Sequence, residues 1–224
     1  MNPRYSIPVA VLFALAASAS AFAQGTPAPG PNSPEPRWYI AAIGGAVSRP
    51  PTAPVFGVEI AEHFGRHAQA YVTFSYIENL MRETLRDDLD TTGTRLATLT
   101  GESWSLSGRD RGLALVAGGK YVFGSGTFRP YVGAGAGVIN LKRTVLETRI
   151  GDVTQAVYND FELGDAELSA TADGVNKPLI EFGFGVGIGS GHTHVDIGYR
   201  FRNVPRTATS LTFSQVSAGI GYRF

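Results

Sequence analysis

The 224-residue chain contains no cysteine, which excludes a disulfide framework, thiolate catalysis and a lipid anchor on an N-terminal cysteine. Charge is scarce too. Only 17% of residues are Asp, Glu, Lys or Arg, and they sum to a formal net charge of zero. A nucleic-acid partner calls for a basic patch that displaces counterions from phosphate, so that class is set aside. After Arg37 no apolar run reaches the ~18 to 20 residues that span a bilayer as a helix. The four histidines (His63, His67, His192, His194) lack the tight helical spacing of a zinc motif. No Walker-type or dinucleotide glycine pattern stands at a strand-to-helix junction. Neither a metal nor another cofactor is expected, and no catalytic residue is assigned.

The amino terminus has the parts of an export signal: a basic "MNPR", an apolar "IPVAVLFALAASA" and the small-x-small "AFA". Cleavage is expected between Ala23 and Gln24, giving a signal peptide over residues 1–23. Residues 24–36, "QGTPAPGPNSPEP", hold five prolines and read as an extended periplasmic linker. The fold is expected over 37–224.

In that region period-two segments recur: "RWYIAAIGGAV" (37–47), "PVFGVEIAE" (54–62), "AQAYVTFSYI" (68–77), "GLALVAGGKYVF" (112–123), "FRPYVGAGAGVINL" (128–141), "PLIEFGFGVGIG" (178–189), "HVDIGYRFR" (194–202) and "TFSQVSAGIGYRF" (212–224). Eight is an even number, and each segment approaches the ~9 to 11 residues that cross a bilayer as a tilted strand. "HFGRH", "GSGT" and "SGHT" make three tight connections, whereas about 79–110 and 143–176 are long, polar and acidic. Short turns at one end and long loops at the other predict an all-β, eight-stranded antiparallel up-and-down transmembrane β-barrel. "TRLATLTGESWSL" and "KRTVLETRI" also alternate and extend the hairpins as strand, with ten strands as the architectural alternative. A short helix within "ENLMRETLRDD" is a further option.

A soluble sandwich also alternates; the 28 glycines decide against it. Glycine weakens a strand and gives a solvated face nothing, so rows such as "GFGVGIG" fit the inside of a barrel too narrow for many large side chains. Ile180, Phe182, Phe184, Val186 and Ile188 then face lipid, as do Val195, Ile197, Tyr199 and Phe201. Trp38, Tyr121, Phe123, Phe128, Tyr222 and Phe224 form one aromatic girdle, and Tyr76, Tyr199 and Phe201 the other. Glu59, Lys120, Glu181, Asp196, Arg200, Arg202 and Arg223 are expected to form a polar network in the lumen. That network is read as a rigid plug, with an ion or solute path as the alternative. A two-residue Ser190–Gly191 turn would set Glu181 opposite Arg200 and Gly185 opposite Asp196, and an "SG" turn would pair Lys120 with Tyr131. The facing of the first and fifth segments stays open.

The ending "SAGIGYRF", with Val216, Ala218, Ile220, Tyr222 and Phe224 at alternate positions, resembles the β-signal of bacterial outer-membrane proteins. With "YVGAGAG", "FGFGVGIG" and "VDIGYRF", residues 37–224 resemble the OmpA-like and opacity-type eight-stranded barrel families. The resemblance implies recognition by the barrel assembly machinery and an outer-membrane location amid lipid and lipopolysaccharide. It also implies periplasmic short turns and mature termini, and no peptidoglycan-binding domain is expected after the barrel. The expected role is non-enzymatic, structural or surface-interacting through the long loops, whose ligand is unnamed. Passage of small solutes, hydrophobic ones or others, as in the similar OmpW-type barrels, is the alternative. A lipid-A-modifying enzyme would need a His, a Ser and a carboxylate near the long-loop end, but all four histidines fall beside short turns.

Overall fold

The computed structural model describes residues 37–48, 52–64, 66–81, 83–124, 126–147, 151–154, 174–205 and 210–224. The signal peptide, its Ala23–Gln24 junction, the linker and much of 143–176 lie outside them. Eight long strands make up the barrel: β1 (Trp38–Ser48), β2 (Ala53–Phe64), β3 (Ala68–Ile77), β4 (Leu106–Val122), β5 (Phe128–Glu147), β7 (Val175–Ser190), β8 (Thr193–Val204) and β9 (Leu211–Arg223). A two-residue β6 (Gly151–Asp152) pairs with the far end of β5. Every pairing is antiparallel, and β1 closes on β9. The seam extends to the last residue, since Trp38 and Phe224 exchange main-chain bonds of 3.1 and 2.9 Å. A closed ladder leaves no edge to pair elsewhere.

The outward faces are apolar. Phe182 and Phe184 expose 56% and 59% of their surface, and large exposed apolar residues recur on each of the eight long strands. Outward rows run from Leu113 to Phe123, from Phe128 to Val138 and from Pro178 to Ile188. Ten residues of strand, tilted as barrel strands are, rise by about 25 Å, the height of a membrane hydrocarbon band. With its closed topology, this band makes the fold a transmembrane barrel. No described helix is long and apolar enough to cross a membrane. At the short-turn end Tyr121, Phe123, Phe128, Tyr222 and Phe224 are exposed, where amphipathic rings suit the headgroups.

The structure settles the two open facings. In β1, Tyr39, Ala41 and Val47 point inward; in β5, Tyr131 and Ile139 do. Both hairpin registers differ from expectation by two residues. The β7–β8 turn is Gly191–His192, because Ser190 pairs with Thr193, so Glu181 lies opposite Arg202 and Gly187 opposite Asp196. Gly191 adopts φ +62°, which a two-residue hairpin turn requires and glycine permits without strain. In the β4–β5 hairpin Lys120 pairs with Gly133, and Tyr131 with Val122. A shift of two preserves every face, because side chains alternate with period two.

The long loop 79–110 is mostly regular structure. Helix α1 (Glu83–Thr100) occupies the first half of "TRLATLTGESWSL", which alternation had read as strand. Its threonines explain the difference. The hydroxyls of Thr91, Thr92, Thr94, Thr98 and Thr100 each donate to the carbonyl four residues back, so these β-branched residues are accommodated within the helix. Gly101, at φ +72°, ends it with its amide on the Ala97 carbonyl at 3.0 Å. The strand reading of "KRTVLETRI" holds as far as Glu147. β4 and β5 remain paired from Val122–Tyr131 out to Leu106–Glu147, which carries the hairpin roughly 15–20 Å beyond the apolar band.

Candidate functional site

The lumen is filled in layers, each following from the alternation of one strand. On β3, Gln69, Tyr71, Thr73 and Ser75 face in while Val72 and Phe74 face out. Opposite them β8 supplies His194, Asp196, Arg200 and Arg202. Closure brings these distant strands into contact across the axis.

Glu59 is the hub of the polar layer. One carboxylate oxygen accepts from the Tyr39 hydroxyl and from Lys120 Nζ. The other accepts from Thr73 at 3.0 Å and from Arg200 Nη2 at 2.7 Å. Arg200 Nη1 also lies 3.5 Å from Glu181, which accepts from Arg202 Nε at 2.6 Å and from the Tyr71 hydroxyl at 3.0 Å. Arg202 Nη1 donates to Ser75 at 3.1 Å. Lys120, Arg200 and Arg202 are thus matched by Glu59, Glu181 and Asp196. Charge balance and hydrogen bonds make such burial tolerable in a low-dielectric interior. Asp196 accepts from Tyr131 at 2.9 Å, and the Tyr131 ring lies 4.7 Å from Lys120 Nζ, a cation–π contact.

The glycine rows make space for these tyrosines. Tyr71, Gly118, Gly135 and Glu181 are successive cross-strand neighbours, so the Tyr71 side chain lies over two glycines to reach its carboxylate. A Cβ on Gly135 would stand 2.7 Å from the Tyr71 hydroxyl. Tyr131 likewise lies over Gly185 and Gly198, where a Cβ would come within 2.6 Å of its hydroxyl.

Toward the long-loop end the lumen turns apolar. Val47, Val55, Ile77, Leu80, Ile139, Leu141, Leu179, Val204, Leu211 and Phe213 form one buried cluster. Beyond it Arg143 grips Asp110 with two 2.7 Å bonds, from Nε and Nη2. Helix α1 lies on this same face of the extended hairpin, where Leu89 joins Met81, Leu106 and Val145 in a second buried cluster. Gly108 admits it, since a Cβ there would meet Leu89 Cδ1 at 2.7 Å and the Met81 sulfur at 2.8 Å. The helix therefore packs on the lumen-side face of the extension, against β4.

All four histidines lie at the short-turn end. His67 and His192 donate from Nδ1 to the carbonyls of Val122 (2.9 Å) and Arg223 (2.7 Å) and stack on Tyr121 and Tyr222. His194 Nδ1 accepts from Arg223 at 2.7 Å, and His63 Nε2 from Gln69 at 3.3 Å.

Each of the seven charged residues expected in the lumen is buried there: six in or bonded to the polar layer, and Arg223 at the short-turn mouth with His194. Sequence reasoning left the facing of Tyr131 open and missed Tyr39, Tyr71, Thr73 and Ser75, although the β3 alternation carried the signal for the last three. It also missed Asp110–Arg143, which lies where a loop was expected. Val216, Ile220, Tyr222 and Phe224 point outward from β9, with Ala218 on the same face but covered by its neighbours.

No protein-family model matches the chain, and no curated protein matches it in sequence. Its fold is similar to that of Neisserial surface protein A, with 13% identity, 84% of this chain and 97% of that one covered, and a TM-score of 0.51. The N-terminal β-barrel domain of Pseudomonas aeruginosa OprF gives 13% identity, 84% and 96% coverage and a TM-score of 0.49. The outer membrane enzyme PagL gives 11% identity, 83% and 99% coverage and a TM-score of 0.44. These neighbours are bacterial outer-membrane barrels. The likeness is one of fold and assigns no role.

Proposed function

We propose that the chain is a sealed, non-enzymatic bacterial outer-membrane barrel that holds a rigid platform, helix α1 on the β4–β5 extension, above the outer leaflet for contact with an external partner. The observation that carries this reading is the filling of the lumen. A polar network crosses one half, and a cluster of aliphatic and aromatic side chains crosses the other. Conduction requires a continuous wet path, which packed aliphatic side chains oppose. The histidines favour a structural role as well, being engaged by main-chain carbonyls, Arg223 and Gln69.

In this reading the short turns and both termini of the mature chain face the periplasm, residues 1–23 leave at export, and 24–36 are a periplasmic linker. The row Val216, Ala218, Ile220, Tyr222 and Phe224 is the signal read by the assembly machinery; its outward facing on the closing strand supports that role.

Planar-bilayer recording tests the seal. The purified barrel should show no stable openings, and large stable ones would overturn the reading. Because the chain has no cysteine, single substitutions Asp87→Cys in α1 and Gly126→Cys in a short turn report orientation cleanly. An impermeant maleimide should label only the first on intact cells, and the reverse pattern would refute the orientation.

A further inference from the structure

We propose that the outward face of the β4–β5 ladder, just beyond the apolar band, is a binding site for the phosphate groups of the outer-leaflet glycolipid, formed by Arg111 and Lys142 with Arg109 beside them. The assignment rests on the reading above that the long-loop end meets the outer leaflet.

Arg111 and Lys142 are direct cross-strand partners, and Arg109 occupies the next outward position on β4, opposite Thr144. Both Arg111 and Lys142 are exposed, and neither forms an ion pair among the described residues. Arg109 shares one carboxylate, Glu78, at 3.3 Å, so the patch of three cations and one anion carries an excess of positive charge. The Asp152 carboxylate is within electrostatic reach of Lys142 but sits farther out, at the tip of the ladder. Like charges placed directly opposite each other destabilise a sheet. An anion between them removes that penalty.

The level of the patch identifies the anion. Arg111 is one outward position past Leu113, the last large apolar residue on that face of β4. Two residues of tilted strand rise about 5 Å, which puts the guanidinium at headgroup depth rather than in hydrocarbon. Lys142 lies beside it at the same depth. Among the described residues the charge is also one-sided, for the outward residues at the same end of β1, β7, β8 and β9 include Ser48, Asn176, Asn203 and Thr212. Lipid solvates a barrel on all sides, so a patch that among the described residues is confined to two strands points to a held lipid. The guanidinium fork suits the paired oxygens of a phosphate, and the ammonium adds a point charge. Both residues stand on paired strands, which fixes their spacing.

Purified barrel in detergent micelles, titrated with bisphosphorylated lipid A and followed by native mass spectrometry, tests the site. Arg111→Gln combined with Lys142→Gln should weaken binding by roughly 30-fold, the loss of two basic contacts to an anionic headgroup. Lys142→Arg should bind like the wild type. The unboiled gel shift establishes that each variant is folded. Equal lipid A binding by the double variant would overturn the site, as would equal binding of dephosphorylated lipid A or of phosphatidylglycerol by the wild type. The micelle titration does not depend on orientation in the cell or on the seal, so its failure is distinct from failure of the labelling and conductance tests.

Discussion

Substituting Glu59 by glutamine tests whether the lumen is a dry, coupled charge system. The change keeps the shape of the side chain and removes the charge that two buried cations share. At an effective dielectric near 20, unit charges at the 2.7 Å of the Arg200–Glu59 contact attract by about 6 kcal/mol. Desolvation offsets much of that in the wild type, but the variant leaves Lys120 and Arg200 without this carboxylate, and breaking a buried pair costs about 3–5 kcal/mol. The introduced amide would also turn a donor toward one of two cations that can only donate. Unfolding by urea in phospholipid vesicles, followed by the fluorescence of Trp38 and Trp104, should show a loss of that size. Glu59→Leu combined with Lys120→Met should recover most of it, because Arg200 keeps Glu181 at 3.5 Å. A Glu59→Gln variant within about 1 kcal/mol of the wild type would mean that water screens the lumen charges, and the sealed-barrel reading would fall with it.

Three further outcomes follow from the same geometry. Gly198→Ala places a Cβ 2.6 Å from the Tyr131 hydroxyl; it should cost about 1–3 kcal/mol through overpacking, and Tyr131→Phe in the same chain should relieve part of it in urea titrations. Asp110→Asn leaves Arg143 without its bidentate partner beneath α1; unfolding should lose about 3–5 kcal/mol, and limited proteolysis should cut within 79–105 sooner than in the wild type. Deleting Phe224 removes two main-chain bonds to Trp38, worth about 1–3 kcal/mol in the refolded protein. If the terminal row is the assembly signal, outer-membrane yield in cells should fall far more than that loss explains, and a yield that tracks stability alone would refute the signal.

Alternation in the sequence already determined the eight strands and, for most of them, which face meets lipid, because side-chain direction on a strand depends only on parity. The same parity identified Glu59, Lys120, Glu181, Asp196, Arg200, Arg202 and Arg223 as interior, and it survived both register errors. What the sequence left undecided was everything that depends on closure. Tyr71 meets Glu181 across 110 residues and Arg200 meets Glu59 across 141, and no local pattern encodes which inward groups face one another across an axis. The facing of β1 was hidden because "YIAAIGGAV" is apolar on both sides, and its partners Arg223 and Glu59 on β9 and β2 fix Tyr39 and Ala41 inward. The short-helix option within 78–88 reached only the start of helix α1 (Glu83–Thr100), and its remainder was hidden for a different reason. Its threonines favour strand in isolation, and the hydrophobic contacts of Leu89 with Met81, Leu106 and Val145 exist only once the β4–β5 hairpin has risen above the membrane to receive it.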